Sequence, residues 1–294
     1  MLVDALTLVD PGLEVEIVRV KTLGDRKQGT AEASKSDKKD WILDLELALL
    51  NNTIDIAIHS GKDIPIDIEA GTQVCSVLKR ASALDAFIGR EDSLTAKRLK
   101  FSELPYGATI GTASLRRKAS LNKLRPDLRI IDHRGNVPTR IEKMNNSAEI
   151  SGIILASAGL SRLGYADSMS EELSEKIILP AVNQGTLGIQ FRQDDHLNLD
   201  KFGPLIDKET QVVFEAERSC AYAINGDCHS ALGIYAQLEG QSLSLAAEAL
   251  SHDGKNSISL RMQGSSENPK ELGQKLGCAL LERGADKILA ESSC

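Results

Sequence analysis

The chain has 294 residues, a formal charge of −7, 41% hydrophobic residues and only 3% aromatic ones. The length exceeds what one hydrophobic core holds, so two or three domains are expected, with cores built on Leu, Ile, Val and Ala. The acidic balance and scarce aromatics argue against nucleic-acid binding, and no apolar run reaches the ~18 residues of a membrane helix.

Met1–Val9 reads as an amphipathic helix that Asp10-Pro11-Gly12 breaks, and Leu13–Val20 alternates as a strand. Residues 24–40 are polar and aperiodic and read as a mobile loop. Trp41–Leu50 is a predicted helix, Thr53–His59 a buried strand running into Ser60-Gly61-Lys62-Asp63, and Val74–Leu78 another strand. A second unit follows, with strands at Ala108–Gly111, Leu128–His133 and Ile150–Ala156. Helices at Ser114–Leu124, Pro138–Asn145 and around Ala158–Gly164 come after them. Strands alternating with helices predict a mainly parallel sheet. Pro180–Arg192 reads as a return to the first unit. The last unit differs: a helix over Glu209–Ala223, an antiparallel meander over Ala231–Leu238, Leu243–Leu250 and Ser257–Met262, and a closing helix over Asn268–Arg283. The pattern is α/β, with two α/β domains and one small α+β domain: residues 1–87 with 183–205, residues 88–182, and residues 206–294.

Five cysteines (Cys75, Cys220, Cys228, Cys278 and Cys294) suggest no disulfide framework. The opening residues carry no basic stretch followed by an apolar one. A cytoplasmic monomer is therefore expected.

Three features could carry chemistry. Between Arg116 and Lys143, nine basic residues face three acidic ones, a local excess of six positive charges in an acidic chain. Several of these arginines follow predicted strands, where open α/β sheets bind ligands. Thr112 and Ser114 lie at a helix N-terminus, which favours anions. Planar guanidinium groups suit carboxylates or phosphates, although a solvated basic face would give the same count. Second, Asp63 beside Lys62 at a strand end could move a proton and stabilise a cation, or form a surface ion pair. Third, Asn225-Gly226-Asp227-Cys228-His229 puts a thiol in a polar loop beside an imidazole. Gly24–Thr30 mimics a phosphate-binding loop but lacks its lysine, and no paired His or CxxC spacing supports a metal site.

Together and in order, His59–Pro65, Ile110–Arg117, Arg134–Val137, Leu155–Gly164, Leu179–Gly185 and Gly226–Cys228 resemble the porphobilinogen deaminase (hydroxymethylbilane synthase) family across essentially the whole chain. The resemblance implies two domains like those of type II periplasmic binding proteins and a third domain bearing the cofactor cysteine. It also implies a dipyrromethane cofactor joined by a thioether to Cys228. On that primer four porphobilinogen units condense, each losing ammonia to give an azafulvene, and the growing polypyrrole is finally released as a linear tetrapyrrole. Asp63 would be the catalytic acid. Lys62, Ser60, Thr112, Ser114, Arg116, Arg117, Arg134 and Gln184 would hold the cofactor. Arg140, Arg162 and Lys38 would hold the substrate.

The chain departs from the family pattern at several places. A first strand and its Arg- and Ser-bearing loop, expected before Met1, are missing, which would leave an apolar sheet edge. Ser34 stands where the loop carries a lysine, with Lys35 as a candidate substitute. Leu43 replaces a lysine and Trp41 a phenylalanine. Gly61 replaces a methionine, and Asn183 replaces a glycine. Two alternatives follow: a catalytically impaired paralogue, or a two-lobed binding protein for a small polycarboxylate or phosphate that needs the arginines but neither Cys228 nor Asp63.

Overall fold

The computed structural model describes residues 1–20, 22, 38–91, 97–195, 200–225 and 230–290, with side chains described except at 38–41. Most of the loop over residues 24–40 lies outside the described residues.

Helix α1 (Leu2–Val9) turns Leu2 and Leu6, one turn apart, into a core with Cys75, Val77, Ile189 and Phe191. It stops at Asp10, whose carboxylate accepts from the Gly12 N–H at 3.1 Å. Leu13–Val20 is not the predicted strand. Among the described residues nothing pairs with it, and Val15, Ile17 and Val18 are exposed. Alternation supplies a face, but a strand also needs a ladder partner for its N–H and C=O groups. Helix α2 (Lys38–Leu50) starts earlier than predicted. The N–H and hydroxyl of Thr53 both donate to Ala48 O, at 3.0 and 2.9 Å, so the residues after it belong to the helix-closing turn. Strand β1 therefore covers only Ala57–Ser60.

The first sheet has the order β1-β8-β2, with β2 at Thr72–Val77 and β8 at Leu187–Arg192. Both pairings are antiparallel, with Ala57 and Val74 flanking Gln190. This corrects the expectation of a mainly parallel sheet, and the physical reason is topological. The chain leaves after β2, builds the whole second unit and returns from the far side, so β8 enters between two strands that run the other way.

The second sheet has the order β5-β4-β6-β3-β7 over Arg129–Ile131, Thr109–Gly111, Gly152–Ala156, Asp85–Gly89 and Glu171–Leu173. Here β4, β5 and β6 run parallel, whereas β3 is antiparallel to both of its neighbours. The predicted domain boundary at residue 87 falls within β3. Helices α3 (Leu115–Leu124), α4 (Val137–Asn145) and α5 (Ser157–Arg162) follow the three parallel strands, so their N-termini gather at one edge of the sheet.

The third unit packs α6 (Lys208–Ile224), α7 (Pro269–Glu282) and α8 (Ala285–Ala290) on a meander of β9 (Leu232–Glu239), β10 (Ser242–Leu250) and β11 (Ser257–Ser265). The antiparallel order β11-β10-β9 agrees with the sequence expectation. Its core, with Cys220, Ile234, Leu245 and Leu276, is distinct from those of the two sheets. Cys278 is exposed on α7. No described helix is long and apolar enough to cross a membrane.

Candidate active site

Strand β1 ends at Ser60, and Gly61–Asp63 form one 3-10 turn that presents Lys62 and Asp63. The Gly61 N–H donates to Thr186 O at 3.0 Å, which fixes this turn to the segment returning from the second unit. Close approach requires glycine here. A Cβ on Gly61 would lie 1.9 Å from Thr186 Oγ1, 2.8 Å from Asn183 O and 3.1 Å from Asn183 Cβ. Asn183 itself has φ +56°, a left-handed conformation that Asn tolerates. The two departures from the family pattern are thus neighbours in space. Gly61→Ala should lower stability by about 1–3 kcal/mol, as overpacking does; a urea midpoint equal to wild type would contradict this packing.

Facing the turn, the second unit holds a buried polar cluster centred on Asp85. Arg116 Nη1 donates to Asp85 Oδ2 at 2.8 Å and to Leu179 O at 2.6 Å. Arg117 donates to Asp85 Oδ1 from Nη2 at 2.7 Å and from Nε at 3.1 Å, and to Ile154 O at 3.0 Å. Gln184 Nε2 adds bonds to Asp85 Oδ1 at 2.9 Å and to Ala83 O at 2.7 Å, while its Oε1 is buried without a partner. Burial would raise the Asp85 pKa, but the two guanidinium groups hold it well below the usual carboxylate range. One carboxylate against two guanidiniums leaves the cluster net positive.

More positive charge surrounds it. Burial lowers the Lys62 pKa; Asp63 and Asp85 oppose that shift and Arg117 and Arg116 add to it, which places the turn within the field of the cluster. Arg140 donates from Nε to Gly135 O at 2.5 Å, and its pKa is lowered by burial and by Arg117 and Arg134. Arg162 donates to Gly185 O at 2.7 Å, and burial lowers its pKa too. Neither has a carboxylate partner among the described residues. Arg134 is exposed, 3.7 Å from Asp132, which also pairs with Lys118. Ser114 caps α3 by accepting from the Arg117 N–H, and Thr112 Oγ1 accepts from the Ser114 N–H at 3.3 Å. Ser60 and Asp63 are exposed.

The structure therefore brings Lys62, Arg116, Arg117, Arg140 and Gln184 to one region, with Arg162 on the adjoining returning segment. Cys228 lies outside the described residues, as does the side chain of Lys38. Sequence reasoning missed Asp85, and also the Arg80–Glu217 pair behind the site. Arg80 donates to Glu217 at 2.7 and 3.2 Å and to Gln184 O at 2.9 Å, and Glu217 accepts from the N–H groups of Asn183 and Ala236. A signal existed for Asp85: it is the lone acid in the run Ala83–Ile88, and an acid in a buried strand needs a cationic partner.

Comparison with known proteins shows the family of the chain. A family model described as porphobilinogen deaminase, dipyromethane cofactor binding domain, matches residues 1–200, and the porphobilinogen deaminase C-terminal domain matches residues 212–282. The porphobilinogen deaminase of Carboxydothermus hydrogenoformans is 40% identical over 289 residues, covering 98% of this chain and 91% of the relative. That of Natranaerobius thermophilus is 36% identical over 285 residues, covering 96% and 90%. Among solved structures, the periplasmic VFT2 domain of Bordetella pertussis BvgS matches with a TM-score of 0.38 and 15% identity over 74% of this chain and 80% of that one, a score too low to carry weight. The sequence similarity extends across the first two units and the third, and on it the chain belongs to the porphobilinogen deaminase family.

Proposed function

We propose that the cleft between the two sheets is where this transferase carries out hydroxymethylbilane synthesis, with Asp63 as its acid and Cys228 as the attachment point of dipyrromethane. The family activity is the stepwise, head-to-tail condensation of four porphobilinogen units with loss of ammonia. The observation that carries the site assignment is the excess of positive charge at Arg116, Arg117, Arg140 and Arg162, where Asp85 is the one carboxylate paired with them among the described residues, beside the turn that bears Lys62 and an exposed Asp63.

The donors fit the cofactor. Each pyrrole bears an acetate and a propionate, and guanidinium groups held by carbonyls rather than by acids keep N–H donors for such carboxylates. When bound, dipyrromethane supplies the free α-carbon that attacks the first substrate unit. The chain's own residues do the rest. Arg140 and Arg162 bind and orient substrate carboxylates. Arg116 and Arg117, locked on Asp85, form a preorganised positive wall that needs no rearrangement during the reaction. Asp63 gives its proton to the aminomethyl nitrogen that leaves as ammonia, and its carboxylate then faces the positive charge on the pyrrole.

Expressed with a supply of porphobilinogen, the protein should show an intact mass above its sequence mass by two linked pyrrole units. Cys228→Ser should show the sequence mass alone. A bare wild-type mass would leave the two-lobed binding protein as the better account. We place the chain in the cytoplasm as a monomer. The free thiols of Cys75 and Cys220, both buried, with burial pushing the Cys75 pKa up to about 11 and that of Cys220 well above the usual thiol value, support a reducing compartment. Sedimentation at the mass of one chain tests the monomer.

A further inference from the structure

We propose that Arg218, on α6 of the third unit, is a positioning residue for Asp63; the proposal rests on the assignment of Asp63 as the acid. Its Nη2 donates to Pro65 O at 2.8 Å and to Ile66 O at 3.2 Å, just beyond the turn that presents Asp63. The guanidinium also lies 5.7 Å from the centre of the Phe214 ring, one turn earlier on the same helix. The clamped segment is anchored by packing as well. Ile64 and Pro65 are buried, and Ile66 packs on the core of the third unit. The turn that carries Lys62 and Asp63 is thus held at both ends, by the Gly61–Thr186 hydrogen bond before it and by Arg218 after it.

Arg218 differs from Arg80, Arg116 and Arg117 in its partners. Arg80 has Glu217, and Arg116 and Arg117 have Asp85. Arg218 has no carboxylate among the described residues, and its Nη1 is buried without a hydrogen bond. Burial accordingly draws its pKa down to about 10. A charged group held only by two carbonyls is an expensive way to fill space. It fits a function in fixing those carbonyls, because a rigid two-acceptor grip sets the direction in which the turn leaves β1. The same α6 runs on to Asn225, directly before the residues that include Cys228. One helix therefore ties the exit of the Asp63 turn to the chain three residues before Cys228.

The test is a double-mutant cycle on holoenzyme, with the cofactor load of every variant checked by intact mass. Arg218→Met, similar in length and without charge, should lower kcat by about 10-fold or more while KM stays within about two-fold, as a misplaced catalytic group does. Arg218→Lys should recover part of that loss. In an Asp63→Asn background, Arg218→Met should remove less than about two-fold more, because its effect passes through Asp63. An unchanged kcat in loaded Arg218→Met, or a rise in KM with kcat preserved, would overturn the proposal. So would losses that simply multiply in the double variant. If Arg218→Met fails to fold, Arg218→Lys decides: it keeps the charge but not the fork, and a wild-type kcat there also refutes positioning. Asp63→Asn alone separates the two ideas, since a wild-type rate in that variant sinks the acid assignment whatever Arg218 does.

Discussion

Asp63→Asn should lower kcat by about 10²–10⁴-fold, the usual worth of a positioned general acid, with little change in stability. The side chain is exposed at the end of the Gly61–Asp63 turn, so its exchange for one of the same shape disturbs little packing. Asparagine keeps the shape but has no carboxyl proton to give and no negative charge to face a cationic pyrrole. Substrate carboxylates would still meet Arg140 and Arg162, so KM should move far less than kcat. Steady-state kinetics on cofactor-loaded protein decide the matter, and a kcat within a few-fold of wild type would move the acid elsewhere.

Asp85→Asn should have the largest effect on stability, a loss of about 3–5 kcal/mol, because removing one partner of a buried ion pair strands the other. Here two guanidiniums would be stranded, both almost fully buried and both aimed at that carboxylate. The pH dependence has a definite sign. The folded Asp85 pKa lies below the unfolded one, so the stability it contributes is complete above the unfolded value of ~3.9 and is lost only as pH falls through the lower folded value. Urea midpoints should therefore fall less steeply in acid for Asp85→Asn than for wild type. A midpoint near wild type at pH 7 would show that Leu179 O, Ile154 O and water suffice for the two arginines.

Much of the site was legible in the sequence because its chemistry is local. Ser60–Asp63 follows one strand, and the arginines of residues 116–140 follow others, so the strand-end rule brings them to one region. Asp85 was not legible in the same way. Its partners lie more than thirty positions away, and nothing in a short apolar run says which cation will reach it. The direction of β8 was hidden for a related reason, since the grammar of alternating strands and helices describes neighbours in sequence, whereas β8 pairs with strands over a hundred residues earlier. Leu13–Val20 shows the opposite failure, a local pattern without a partner to complete it. Gly61 and Asn183 stood as two separate departures from the family until the turn and the returning segment were seen in contact.

The central place of β8 in the first sheet has a consequence for the order of events on the ribosome. Among the described residues, strands β1 and β2 are not hydrogen-bonded neighbours; each pairs with β8. That ladder cannot form until about residue 192 has emerged, so β1 and β2 are made before the second unit but completed after it. The second unit, contiguous from β3 to β7, can close first. Nascent β1 and β2 must meanwhile wait without β8, a state in which unpaired strand edges are prone to aggregate. A ribosome stalled before β8 should present a protease-resistant second unit joined to a protease-sensitive first one.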